Sequence, residues 1–187
     1  TVFLNRIIGR SVVADDGRNA MLEVGAGENW HALVQWTLNQ RLCGLENLSL
    51  IPGSVGAAPI QNIGAYGVEL SSVLDSVTAW DWQTRAWLCF SAEECELAYR
   101  DSLFRSGAPD RYLITSIRFR LSREFQPRLD YAGLREELAA RGLARPTAQD
   151  VSDAVIRLRR RKLPDPAEIG KIRYAEVPVV GDVGAVM

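Results

Sequence analysis

The chain has 187 residues, 47% of them hydrophobic and 24% charged, with a formal net charge of -1. That is ordinary globular composition, enough to bury one sizeable core and a fragment of a second, and it excludes disordered and fibrous classes and any overall electrostatic bias toward nucleic acid or membrane. The three cysteines, Cys43, Cys89 and Cys95, are odd in number and lack the paired short spacings of zinc sites, which points to reduced thiols in a cytoplasmic protein.

The opening TVFLNRIIG has neither an initiator Met nor a signal-peptide layout, so the chain is expected to start inside something larger. Short strands are predicted in VFLNRII, SVVA and AMLEVG, separated by Gly9 and by Asp16-Gly17. Gly25-Ala26-Gly27 lacks the third glycine of a dinucleotide fingerprint and reads as a turn before a helix that starts at Trp30 and is capped by Asn29. His31, the single histidine, falls off the apolar face of Trp30, Leu33, Val34 and Leu38 and is expected to face solvent. Histidine triads and most zinc enzymes are thereby disfavoured, leaving proton chemistry to Tyr, Ser, Glu, Asp or Arg.

From Asn47 through Val68 there is no charged side chain. Within that run IPGSVGAAPIQNIGAYG holds four glycines and two prolines, which break any membrane-spanning helix and predict a loop whose main chain is itself the functional surface. Such a run can cradle a diphosphate with backbone N–H groups while Ile51, Ile60 and Ile63 offer contacts to a flat ring, although a tight structural crossover would need the same small residues.

Next, SSVLDSVTAWDW and TRAWLCFS are predicted to pair as a hairpin around Gln83-Thr84, and Ser91 with Glu94 has the spacing of a capping box that should open a short helix. In AYRDS, Arg100 could aim a fixed charge at a carboxylate or, more blandly, pair with Asp101. RYLITSIRFRL is predicted as a strand antiparallel to that hairpin, YAGLREELAARG as a helix stopped by Gly142, and VSDAVIRLRRRK as a helix opened by Thr147 and Asp150, buried along Val151, Ala154, Val155 and Leu158 and ended by Pro164 and Pro166. Its last turn gathers Arg157, Arg159, Arg160, Arg161 and Lys162, suited to the helix dipole, to a phosphate-bearing ligand or, weakly, to nucleic acid. Irregular alternation of strands and helices predicts an α+β fold and argues against a doubly wound sheet.

The run LENLSLIPGSVGAAPIQNIGAYGVEL, followed by AYRDSLF and RKLPDP, resembles the UDP-N-acetylenolpyruvoylglucosamine reductase family of peptidoglycan precursor synthesis, from the start to about Gly170. The resemblance implies an FAD-binding domain of the vanillyl-alcohol-oxidase type, with residues 1–8 closing a first subdomain, 9–163 forming the second, and 164–187 a linker with an atypical tail. It implies that NADPH reduces FAD and that the flavin N5 passes hydride to the enolpyruvyl double bond; the sequence leaves the oligomeric state open, with a monomer expected for the complete protein. By motif, Ile51, Pro52, Gly53, Gly56, Ala57, Ile60 and Gly64 would line the FAD. Tyr66 and Tyr99 would contact the substrate, Tyr131 would fold over the nucleotide-sugar, and Lys162 would meet its diphosphate. Arg100 would be the catalytic residue, holding the enolpyruvyl carboxylate and stabilising the enolate. Ala57 stands where some relatives carry Ser. The family's glycine-rich phosphate loop, its proton-donating serine and its late glutamate have no counterpart here, so the 187 residues alone are expected not to turn over, and a non-catalytic flavin- or nucleotide-sugar-binding module is the alternative.

Overall fold

The computed structural model describes residues 4–162. The expected linker and tail from 164 onward, including Pro164 and Pro166, lie outside the described residues.

Its frame is an antiparallel five-stranded sheet. Strands β1 (Arg10–Asp15) and β2 (Asn19–Gly25) form the hairpin that Asp16-Gly17 predicts, closed by the Asp16 N–H on the Asn19 carbonyl at 3.1 Å. Helix α1 (Trp30–Asn39) follows, then two-residue strands β3 (Gly64–Ala65) and β4 (Val68–Glu69) paired with each other, then β5 (Leu74–Asp81), β6 (Ala86–Ser91) and β7 (Tyr112–Ser122). Helices α2 (Ala132–Ala140) and α3 (Ala148–Lys162) complete the described chain. The sheet order is β1-β2-β7-β5-β6, so β7 returns between the two hairpins and pairs with both β5 and β2.

The alternation along β7 changes phase partway. Ile117, Phe119 and Leu121 are buried on one register, yet Ile114 is buried too, because the ladder slips where Thr78 faces Ser116 but Ala79 faces Ile114. The extra residue, Thr115, is bulged and sends its hydroxyl to the Thr78 carbonyl at 3.2 Å. On the buried face Leu22, Val24, Val77, Ile117 and Phe119 meet α1 through Trp30, Leu33 and Val34, with the Trp30 and Phe119 rings edge to face at 6.1 Å. Each such side chain contributes about 1.5–3 kcal/mol by leaving water. A second, smaller core joins Leu134 and Leu138 of α2 to Val151, Ala154, Val155 and Leu158 of α3, the stripe expected from sequence.

Two expected elements are absent among the described residues. The segment 4–9 is not a strand: it crosses the end of β2, where the Gly27 N–H donates to the Ile7 carbonyl at 2.8 Å and a Cβ on Gly25 would stand 2.3 Å from that oxygen. Gly25 and Gly27 are therefore required for close backbone approach rather than for a turn alone. At Ser91 the capping box forms, with the Ser91 N–H on Glu94 Oε2 at 2.8 Å and the Glu94 N–H on Ser91 Oγ at 3.2 Å, but it caps one turn and no helix. The chain is diverted there because Cys95 is drawn fully into the core and Glu96 turns left-handed at φ 50°.

Among the described residues no helix is long and apolar enough to cross a membrane. Burial pushes the Cys43 thiol up to about 11 and the Cys95 thiol up to about 12, so both stay protonated at neutral pH. The Asn29 carboxamide oxygen accepts the Ala32 N–H at 2.9 Å, as a cap should. Asn29→Ala is expected to lower stability by about 1 kcal/mol, measured by urea unfolding followed by tryptophan fluorescence.

Candidate functional site

Residues 51–67 are neither a featureless loop nor a sealed interior. Two short 3-10 turns, Val55–Ala57 and Pro59–Gln61, lead into the β3–β4 hairpin, whose two-residue connection is Tyr66-Gly67 with φ of 50° and 81°. Positive φ at both positions twists a two-residue turn to match its strands, and only the glycine adopts it without strain. Burial alternates along the run. Pro52, Gly53, Ala57 and Ile60 are exposed and Ile51 is half-buried, while Val55, Gly56, Ala58, Pro59, Asn62 and Ile63 are buried.

That alternation corrects two expectations. Ile63 belongs to the main core and cannot contact a ligand ring. Gly56 serves packing: its N–H donates to the Ala26 carbonyl at 2.8 Å, and a Cβ there would stand 2.7 Å from the Ala26 Cβ. Gly53 is different, with φ 111° and nothing within 4 Å of where its Cβ would lie. The residues of this run that lie exposed are thus Pro52, Gly53, Ala57 and Ile60, with buried residues between them. A cavity of about 370 Å³ opens elsewhere, beside Gly67 and Glu69 and lined also by Cys43, Glu46, Arg120 and Arg128.

Three side chains stitch this run to the AYRDS segment. The buried Asn62, left-handed at φ 43°, donates to Glu69 Oε2 at 3.0 Å and to the Ala98 carbonyl at 3.1 Å, and accepts the Ser71 N–H at 3.0 Å. The Ser102 hydroxyl donates to the Ile60 carbonyl at 2.7 Å. Arg100 donates from Nη2 to the Gly64 carbonyl at 2.7 Å. Tyr99 and Arg100 form the turn of a small antiparallel bridge between Ala98 and Asp101, with Arg100 at φ 55° and its guanidinium 5.5 Å from the centre of the Tyr99 ring. Tyr99 is 71% exposed. Asp101 accepts from the Ser102 N–H and the Ser106 hydroxyl, which holds its carboxyl below the usual range.

At the other end of the hairpin the rings of Tyr66 and Tyr131 meet edge to face at 5.1 Å, and Lys162 Nζ lies 6.0 Å from the centre of the Tyr131 ring. Tyr66 also packs on the α2–α3 core. Arg159, half-buried, donates from Nε to the Leu50 carbonyl at 3.1 Å, and burial pushes its pKa down. Of the basic cluster, Arg157, Arg160, Arg161 and Lys162 remain exposed. Tyr66, Tyr131 and Lys162 are therefore brought together, and Arg100 is held beside Gly64. The residues that sequence reasoning left out are those that do the fastening: Asn47, Asn62 and Ser102.

His31 is not solvent-facing as expected. It is half-buried, and its Nδ1 accepts the Leu50 N–H at 3.1 Å, where Leu50 turns left-handed at φ 59°. Accepting requires the neutral ring, and burial together with the nearby Arg160 lowers its pKa below the usual 6.5. With the folded pKa depressed, the unfolded chain takes up the proton first, so this contribution is fully present above pH 6.5 and is lost as pH falls below it. His31→Asn, whose amide oxygen can accept the same N–H, is expected to flatten the decline of unfolding free energy between about pH 7 and pH 5 seen in the wild type. Gly56→Val is expected to cost about 1–3 kcal/mol by overpacking against Ala26, measured by thermal unfolding.

The α+β frame presents exposed glycine-containing backbone and an arginine held by a main-chain carbonyl, and residues 2–86 match the FAD binding domain family. The chain is 55% identical over 173 residues to UDP-N-acetylenolpyruvoylglucosamine reductase of Pseudomonas putida, covering 92% of this chain and 51% of the relative. It is 54% identical over 164 residues to the reductase of that name from Dechloromonas aromatica, covering 86% and 49%. Its fold superposes on the crystal structure of UDP-N-acetylenolpyruvylglucosamine reductase (MurB) from Thermus caldophilus with a TM-score of 0.55 and 27% identity, covering 76% of this chain and 44% of that one. The similarity to reductases of this name runs over most of the chain, and the chain spans about half the length of the curated relatives it matches.

Proposed function

We propose that this chain carries the FAD surface and part of the substrate site of an NADPH-dependent reductase of UDP-N-acetylglucosamine enolpyruvate, with residues 9–163 as the second FAD-binding subdomain. The observation that carries the reading is the β3–β4 hairpin, which holds Arg100 at Gly64 and gathers Tyr66, Tyr131 and Lys162 around its turn.

Pro52, Gly53, Ala57 and Ile60 would lie against FAD, with Ile51 at the margin, Gly64 bordering it and Gly56 setting the depth of the surface. Bound FAD supplies the two-electron chemistry, with NADPH as the electron source. Everything else falls to side chains. The bond to Gly64 holds the Arg100 guanidinium in place, where its planar cationic fork would hold the substrate carboxylate and stabilise negative charge developing on it. Tyr66 and Tyr131 would pack on the nucleotide-sugar, Tyr99 would close over it from its exposed turn, and Lys162 would meet the diphosphate as a point charge.

Titration with FAD, followed by flavin absorbance, tests the surface. Ala57→Trp places a bulky ring on an exposed position and is expected to weaken FAD binding about ten-fold or more while leaving the thermal stability of the ligand-free protein unchanged. Unchanged FAD affinity in that variant would remove residues 52–60 from the flavin site. Lys162→Ala is expected to weaken binding of a UDP-sugar by about ten-fold, the loss of one charge-assisted contact, measured by calorimetry.

A further inference from the structure

We propose that Asn47 is a positioning residue that holds the two tyrosines in register, a role that rests on the nucleotide-sugar reading of that pair. Asn47 sits in the short 3-10 turn Glu46–Leu48 after α1 and is 1% exposed, so it does not itself touch a ligand. Its Nδ2 donates to the Tyr66 carbonyl at 2.8 Å and to the Arg128 carbonyl at 2.9 Å. Both partners are acceptors, which fixes the orientation of the amide and uses both of its N–H groups.

These two carbonyls belong to different arms. One is the peptide that leaves Tyr66, a bulky residue in left-handed backbone where only a specific hold keeps it. The other lies in the 123–131 segment that ends at Tyr131, the residue from which α2 begins. One amide therefore ties the strained turn to the chain that carries the second ring, and the 5.1 Å ring contact is the outcome. Packing alone would be served better by a leucine of similar shape, because Asn47 Oδ1 is buried and finds no donor among the described residues. The neighbours of Asn47 make its own position rigid. The Glu46 carboxylate accepts the Gly44 N–H at 2.7 Å, the Leu48 carbonyl accepts from Trp30 Nε1 at 2.9 Å, and Ser49 lies 2.8 Å from the Ser152 hydroxyl of α3.

The test uses the 187-residue protein with Asn47→Asp, which turns the two donors into acceptors, and Asn47→Ala, which removes them without charge. Nuclear Overhauser cross-peaks between the Tyr66 and Tyr131 rings are expected in the wild type and lost in both variants, while those between Trp30 and Phe119 persist. Affinity for UDP-N-acetylglucosamine is expected to fall about ten-fold with FAD affinity held within about two-fold. Survival of the tyrosine cross-peaks in Asn47→Ala, or their loss only together with the Trp30–Phe119 cross-peaks, overturns the proposal. If the wild type binds no UDP-sugar the nucleotide-sugar reading fails, and the ring cross-peaks still decide the role of Asn47.

Discussion

A backbone that runs for some twenty residues without a long helix or strand must still have its buried polar groups paired, because each one left without a partner costs about 1–3 kcal/mol. Between Asn47 and Val68 that need is met partly by backbone, with the Val55 N–H on the Glu28 carbonyl and the Gly56 N–H on the Ala26 carbonyl, and partly by side chains: Ser102 on Ile60, Arg100 on Gly64 and His31 on Leu50 from outside the run, and Asn47 on Tyr66 from its start, while Asn62 in turn fastens the run to Ala98 and Ser71. The remainder of the site depends on this fastening. Uncharged composition keeps rival ion pairs out of the run, and amides and hydroxyls then place its peptides one at a time.

The same bonds couple the two cores. The sheet and α1 share one core and α2 and α3 another, and the Ser152 hydroxyl of α3, bonded by Gln35 of α1 at 3.0 Å and 2.8 Å from the Ser49 hydroxyl next to the turn Glu46–Leu48, draws α3 onto that turn. Arg159 adds a bond to Leu50 from the same helix. A ligand spanning the hairpin from Arg100 to Lys162 would therefore press on both cores at once, and binding there should stabilise the chain as a unit.

Local signals in the sequence worked where local physics decides the outcome. Asn29 caps α1, Thr147 and Asp150 open α3, Gly142 closes α2 at φ 70°, and Asp16-Gly17 turns the first hairpin, since each needs only its own neighbours. They failed where a distant contact intervened. Ser91 and Glu94 form their box and gain no helix because Cys95 is pulled inward, β7 changes phase because of a bulge set by its partner strand, and His31 meets Leu50, 19 residues away. Ile63 and Gly56 were legible as apolar and small, but nothing in their spacing distinguishes a residue that packs inward from one that faces a ligand.

By itself, then, the sequence determined the α+β character, the helix ends and the existence of an uncharged stretch whose glycines and prolines exclude regular structure. Composition and short-range capping are enough for those. Only the tertiary structure decided which peptides of that stretch lie open, that Tyr66 and Tyr131 touch, and that a buried asparagine ties them. The cause is that hydrogen bonds between residues 19 to 81 positions apart form only when the sheet and helices have already brought them within reach.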